Sequence, residues 1–465
     1  MYEALLFLGF SIYFLIIFIE TRKNKYFSPF ILVATVYFLY FIFKAFVFYL
    51  NTDEVEEYFR LHNIDIEHIQ QALFMLSLSF ISFYLGYKVT KPNKQNKKYN
   101  IGFSFENTNP KKLFQINFIL FFIWFAFNIY KFTIGLTHYA GAYSVAEKYA
   151  FGLPYLLSIV ISIFGYSFYF LMYLYFKYKI YKKLFYISLI LKISFMLIGG
   201  GALPMISLVL SYLLIYFWAN AWNIQYKKPQ INLLKLSLFG FLGLGLLIFI
   251  YLFKTISREF IKLGIQPLDI LFNIDYTYLS IVFSHIDFSY LILSLFNRFM
   301  GVDAIANIMN SIDLGYIDYS YGYMFYLLAV GIIPKFILHD KPEVSMGMWY
   351  TETLWNRDNL ATGYQNTALF IPGDLYLNFG YIGVIFGMFI YGLLLGYIFK
   401  IWFNNKNYIF SYVFVSTVFI YFLVSEYSFA SWILTFVRVF LLLSVYSILI
   451  KILSKITFKG FKKCN

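Results

Sequence analysis

Lysine outnumbers arginine 31 to 6 in this 465-residue chain, so the places that use arginine are informative. Arg258, Arg298 and Arg357 fall within one stretch, residues 254–378. A guanidinium is a planar fork that grips phosphate or pyrophosphate through two bonds and stays charged when desolvated. Three of them in a lysine-dominated chain point to a phosphate-bearing ligand, although any one of them also reads as an ordinary loop charge or salt-bridge partner.

The second half of the same stretch carries the other parts of a transfer site. It runs from Gly331 through Pro334, Lys335, His339, Asp340, Lys341 and Pro342 to Arg357 and Asp358. It closes on Pro372, Gly373, Asp374, Tyr376, Asn378, Phe379 and Gly380. Group transfer needs a cation for a leaving phosphate and a carboxylate or imidazole to deprotonate an attacking hydroxyl. Lys335 and Lys341 supply the first, and Asp374 or His339 the second. Asp374 stands five residues before an apolar run that begins at 379, at the height of a lipid headgroup. It reads either as that base or as an acid favoured by the positive end of the following helix.

Further charges sit where charge is costly. Arg438 falls about eight residues into the last apolar run, roughly 12 Å deep at 1.5 Å per residue, and is expected to face the bundle interior or a wet cavity. Glu426, near the end of the preceding run, is its expected partner across a tight turn, as a structural ion pair or as part of the site. Lys44 and Lys192 also lie in apolar runs; Lys44 is expected to snorkel to the interface and Lys192 to approach the same outer cavity. His62, His68, His138, His285 and His339 show no ligand spacing with Cys or Glu, so no metal site is expected. There is no glycine-rich phosphate loop or dinucleotide fingerprint, so no cofactor is expected and an ATP-driven pump is disfavoured.

Membrane helices must position these residues. The chain is 61% hydrophobic, 24% aromatic and only 13% charged, with a mean hydropathy of +0.69. A soluble domain carries charge at about a quarter of its positions, which disfavours a soluble enzyme and a disordered chain. The one cysteine, Cys464, disfavours a disulfide scaffold. A crossing helix takes about 20 mostly apolar residues. Such runs occupy 2–20, 29–50, 69–87, 113–135, 152–176, 184–199, 203–219, 232–253, 379–399, 408–428 and 430–450, eleven in all. Gly380, Gly383 and Gly387 share one face of the ninth run and Gly392 and Gly396 another, a pattern that lets helices approach closely in lipid.

Lysine clusters follow alternate runs, as at 88–112, 177–183 and in the tail, whereas 51–68 is acidic. Basic loops stay cytoplasmic, which puts the amino terminus outside and the carboxy terminus inside. The net charge of +14 is therefore a topology signal, and no nucleic-acid partner is expected. The expected architecture is an all-α, polytopic integral membrane protein of about eleven transmembrane helices. It comprises an eight-span bundle (1–253), a large outer loop carrying short interfacial helices (254–378), and a three-span bundle with a basic tail (379–465). Tyr316, Tyr319, Tyr321, Tyr323 and Tyr326 suit a belt at headgroup level.

With this layout, two local stretches resemble the Wzy-type O-antigen and capsule repeat-unit polymerases. One is Pro334, Lys335, Lys341 and Pro342. The other is Asp374, Tyr376, Asn378, Phe379, Gly380 and Gly383, leading into a glycine-rich span. Gly199, Gly200 and Gly201 are followed by Ala202, Leu203 and Pro204, where the family often has a basic residue. The resemblance implies a membrane glycosyltransferase on the outer face of a bacterial inner membrane. It would transfer a growing glycan from undecaprenyl pyrophosphate to a lipid-linked repeat unit, in O-antigen, capsule or exopolysaccharide synthesis. Its implied partners are the lipid-linked oligosaccharide and the bilayer, with a chain-length regulator and a flippase as candidate protein partners. Arg258, Arg298, Lys341 and Arg357 would hold pyrophosphate, with Lys335 a further substrate-binding residue. Tyr376, Asn378 and Arg438 would bind substrate, Asp374, His339 or Glu426 would act on the acceptor hydroxyl, and loop Tyr and Trp would stack on sugars. A ligase using the same carrier and a polysaccharide flippase are the competing readings.

Overall fold

The computed structural model describes residues 2–23, 29–50, 59, 64–90, 105, 108–133, 160–161, 163–198, 208, 211, 301–333, 337–338, 342, 346–354, 369–404, 409–423 and 428–455. Among them the protein is all-helical, with no strand. Six helices are long and apolar enough to cross a membrane: Tyr2–Glu20, Val33–Leu50, Ile66–Thr90, Pro110–Tyr130, Ile371–Lys400 and Phe429–Lys455. They match the first four, the ninth and the eleventh of the expected runs. This is the makeup of a multi-pass helical membrane protein. The expected seventh and eighth runs, apart from two isolated residues, and the first part of the large loop (254–300) lie outside the described residues.

In chain order the helices are α1 (Tyr2–Lys23), α2 (Pro29–Tyr37), α3 (Lys44–Leu50), α4 (Ile66–Thr90), α5 (Pro110–Thr133), α6 (Ser167–Tyr178), α7 (Lys182–Ile198), α8 (Val302–Asp313), α9 (Tyr323–Ile332), α10 (Met346–Leu354), α11 (Ile371–Asn404), α12 (Ile409–Leu423) and α13 (Phe429–Lys455). A π-helical segment, Phe38–Phe43, joins α2 to α3. The chain forms two compact units. One takes residues 1–100, 289–405 and 418–439, the other 101–288, 406–417 and 440–465.

The first unit is built around α4 and α11. A Cβ on Gly392 would collide with the carbonyl oxygen of Phe83, and one on Gly86 with that of Phe389. One on Gly396 would meet Tyr87 O at 2.7 Å. The two backbones therefore touch, and Thr90 Oγ1 donates across the seam to Leu393 O at 2.9 Å. Apolar attraction between helices is weak in lipid, so dispersion at such close approach supplies much of the association. Outside this seam α1 leaves Phe7, Phe14, Leu15 and Phe18 exposed, a face suited to acyl chains.

Helix α11 is broken. Phe379 (φ −145°, ψ 15°) and Gly380 (φ 62°, ψ −152°) are non-helical, and Gly380 occupies a region that only glycine enters readily. In a straight helix Leu375 would stand about 18 Å from Gly387. Instead its side chain lies where a Cβ on Gly387 would go, and its carbonyl oxygen is 2.6 Å from the place of a Cβ on Gly383. Residues 371–378 thus fold back alongside 381–404 as a short half-helix, every residue of it buried. The expected start of the ninth run at 379 marks this break.

The loop helices differ in their surroundings. Helix α9 has ten residues, about 15 Å, too short to cross, and leaves Tyr323, Phe325, Tyr326 and Ile332 exposed. Helix α8 is instead enclosed: Val302 to Met309 are all buried, including Asp303 and Asn307. Asp303 is an electrostatic partner of Lys44. Lys44 does not snorkel; it is 2% exposed, with Nζ 4.8 Å from the Phe48 ring centroid.

In the second unit Asn117 is fully buried. Its amide donates to Leu113 O at 2.7 Å and its Oδ1 accepts from Tyr446. Lys192 is buried there as well, its Nζ 3.6 Å from the Trp124 ring centroid. A cation over an indole face is stabilised by the ring quadrupole.

Filling the α4–α11 seam tests this packing. Gly392→Val is expected to lower unfolding free energy by about 2 kcal/mol through overpacking, read by thermal unfolding in detergent. Gly9→Ala, in the interior of α1, whose methyl would meet Ser77 Oγ at an ordinary 3.4 Å, is expected to raise stability by about 0.5–1 kcal/mol.

Candidate functional site

The folded-back half-helix organises one end of the first unit. The chain enters it through Phe370, which is fully buried with φ 59°, a left-handed conformation costly for a bulky residue. The rings of Tyr40 and Phe41 in the π-helical segment, 5.1 and 5.6 Å away, hold it there. Pro372 suits the first helical turn because its missing N–H would have no partner at that position. Gly373 faces Ile305 and Ile308 of α8, which a Cβ there would meet at an ordinary 3.5 Å.

Asp374 is 0% exposed and both carboxylate oxygens are engaged. Oδ2 accepts the backbone N–H of Phe429, the first residue of α13, at 2.8 Å. Oδ1 accepts from the Asn378 amide at 3.1 Å, and the same amide donates to Asp374 O at 2.8 Å. Asn378 Oδ1 in turn accepts Gly322 N at 3.1 Å and Met324 N at 3.2 Å, where α9 begins. The first N–H groups of a helix have no acceptor within it, so one carboxylate and one amide cap two different helices. Asp374 lies in the first turn of α11, and its side chain caps the start of a second helix, α13.

Around the break lies a tyrosine cluster in which Tyr381 is 37% exposed and Tyr376 is buried. Tyr376 and Tyr381 flank it with ring centroids 5.5 Å apart at 86°, and Tyr319 lies 6.0 Å from Tyr376. The phenol groups of Tyr319 and Tyr376 interact, and Asp313 lies within electrostatic reach of both Tyr376 and Tyr381. The Tyr319 ring also sits over Gly380, 3.6 Å from the place of a Cβ, and the Tyr321 ring lies tilted against it at 6.2 Å. Asp313, the last residue of α8, accepts from His68 Nε2 at 3.0 Å. The His68 side chain is 11% exposed and that of Asp313 58%. His68 Nδ1 is buried with no hydrogen-bond partner among the described residues.

Of the residues expected to form the site, Asp374, Tyr376 and Asn378 come together here. Arg438 is exposed on α13, where the sequence led to an interior-facing charge. Arg258, Arg298, Lys335, His339, Lys341, Arg357 and Glu426 lie outside the described residues, so the expected Arg438–Glu426 pair does too. Tyr319 was expected only in a headgroup-level belt and His68 only as a histidine without ligand spacing, and Asp313 and Tyr381 were given no role in the site. His68 and Asp313 are 245 positions apart, so no local spacing links them; the usable hint was that both fall in stretches expected on the outer side. No group of three potential metal ligands occurs among the described residues. No protein-family model matches the chain, and neither a characterised protein nor a solved structure is similar to it at a significant level.

The two caps can be read separately. Asp374→Leu is expected to speed amide hydrogen exchange at residues 429–432 at least tenfold, and Asn378→Leu to do so at 322–325. Each should lower unfolding free energy by about 1–3 kcal/mol, the cost of stranding buried donors. Asp374→Asn keeps an acceptor for Phe429 N–H and should show the smaller effect in the same exchange measurement.

Proposed function

We propose that this protein is a membrane glycosyltransferase that polymerises lipid-linked oligosaccharide repeat units on the outer face of a bacterial inner membrane. The observation that carries the reading is the convergence of one short sequence stretch. Asp374 and Asn378 brace two helix starts, Gly380 breaks the helix, Gly383 and Gly387 receive Leu375, and Tyr376 joins an aromatic cluster. The stretch that resembles the polymerases is thus the stretch that builds the most elaborate corner of the described fold. An aromatic and carboxylate-bearing corner suits sugars, whose C–H faces stack on rings and whose hydroxyls seek acceptors.

In the reaction, an acceptor hydroxyl oxygen bonds to the anomeric carbon of the donor glycan. The bond from that carbon to pyrophosphate breaks, and undecaprenyl pyrophosphate leaves with the electron pair. The leaving group supplies the free energy, so no nucleotide site is needed. Arg258, Arg298, Arg357, Lys335 and Lys341 are assigned to the pyrophosphate, where charge-assisted bonds strengthen as charge develops on the leaving oxygen. Asp374, with no exposed surface and both oxygens occupied, acts as a positioning residue.

Protein in vesicles supplied with undecaprenyl-pyrophosphate-linked repeat units is expected to yield a ladder of polymers, and a deletion strain to carry single repeat units. A deletion strain with no units attached would indicate a ligase, and vesicles that yield no extended product would sink the reading. Arg298→Ala and Arg357→Ala should each cut polymer at least tenfold, since loss of a hydrogen bond to a charged group costs about 1.5–3 kcal/mol. Unchanged polymer in both variants would remove the pyrophosphate assignment.

A further inference from the structure

We propose that the Asp313 carboxylate, held by His68 and flanked by Tyr319 and Tyr381 with the buried Tyr376 behind them, binds the acceptor sugar and removes the proton of its attacking hydroxyl. This rests on the glycosyl-transfer reading above and assigns the half of the reaction that the arginines do not serve.

Four observations support it. First, Asp313 is presented: more than half of its side chain is accessible, while the imidazole that holds it is almost fully enclosed. A buried side chain gripping an exposed carboxylate fixes its direction without covering it. Second, the bond from His68 Nε2 leaves Nδ1 buried and without a partner among the described residues. A stranded lone pair costs less than a stranded N–H in such a place, so the ring is assigned as the tautomer that donates Nε2–H to Asp313. The hydrogen-bonding capacity that this ring realises is spent on orienting the acid. Third, the helix break brings Tyr381, 37% exposed, into a near-perpendicular ring contact with the buried Tyr376 behind it, and Tyr319 lies beside Tyr376, so that Tyr381 and Tyr319 carry the accessible ring surface. Edge-and-face ring surfaces beside a carboxylate recognise a pyranose by stacking on its C–H face and accepting from its hydroxyls.

Fourth, the charge is of the wrong sign for the donor. A carboxylate repels pyrophosphate, and Asp318 lies five residues further along the same exposed segment. A neutral, hydroxyl-bearing acceptor suits this corner better than the anionic end of the donor. The step balances without a further reactant. The acceptor oxygen bonds to the anomeric carbon, its proton passes to Asp313, and the pyrophosphate oxygen takes the electrons of the broken bond.

The vesicle assay and a binding measurement test the idea together. Asp313→Asn keeps an oxygen for His68 but cannot take a proton, so kcat should fall 100-fold or more with the thermal unfolding temperature unchanged. Tyr381→Ala removes one ring and should raise the acceptor KM about five- to tenfold with kcat within a factor of about two. Binding of the free repeat-unit oligosaccharide, released from the organism's own polysaccharide, should be saturable for the wild type and weakened about five- to tenfold in Tyr381→Ala. Wild-type kcat in Asp313→Asn, or wild-type KM in Tyr381→Ala, would overturn the proposal while leaving the polymerase reading standing. If the wild type makes no polymer, that reading fails; the site is then judged by oligosaccharide binding, which overturns it if unchanged in Tyr381→Ala. If Asp313→Asn does not fold, the KM and binding of Tyr381→Ala decide in its place.

Discussion

A buried half-helix whose polar groups must be satisfied from within is the constraint on which the described corner of the protein depends. Where water is scarce, an unpaired N–H costs several kcal/mol, and the helix starts of α9 and α13 both bring such groups beside residues 371–378. Asp374 and Asn378 answer them with side-chain oxygens and tie to one another. One segment of eight residues thereby sets where two other helices begin. Gly380 makes this possible by turning the chain where any side chain would be strained.

The same turn separates two carboxylates into different roles. Asp374 is enclosed and both its oxygens are taken, so it can hold geometry but cannot meet a ligand without dismantling two caps. Asp313 has one enclosed partner and an accessible surface. Two aspartates in the same large loop are thus given unlike tasks by burial alone. Lys44 and Asp303 illustrate a third case, opposite charges withdrawn together into the packed unit. Such a pair offsets its desolvation by mutual attraction and adds little net stability, but it strongly penalises any arrangement that parts it.

The helical class and the location of membrane-crossing segments were legible from apolar runs, because the length needed to cross a bilayer is a one-dimensional property. Six runs appear as helices of sufficient length, and the start expected for the ninth falls at its break. The glycines were legible as packing devices, and Gly392 and Gly396 serve that end against α4. Side-chain destinations were harder. Lys44 was expected to reach the interface and is buried; Arg438 was expected to face inward and is exposed. Depth along a helix can be read from sequence position, but rotation toward or away from a neighbour depends on which helices pack against it.

What the sequence by itself determined is the hydrophobic, all-helical class and the short motif that supplies Asp374, Tyr376, Asn378 and Gly380. Those follow from composition and local spacing, which survive in one dimension. Only the tertiary structure decided that residues 371–378 reverse direction, that Asp374 caps α13, and that His68 meets Asp313 across 245 positions. Each depends on segments far apart in the chain arriving at the same place, and no local periodicity encodes that arrival.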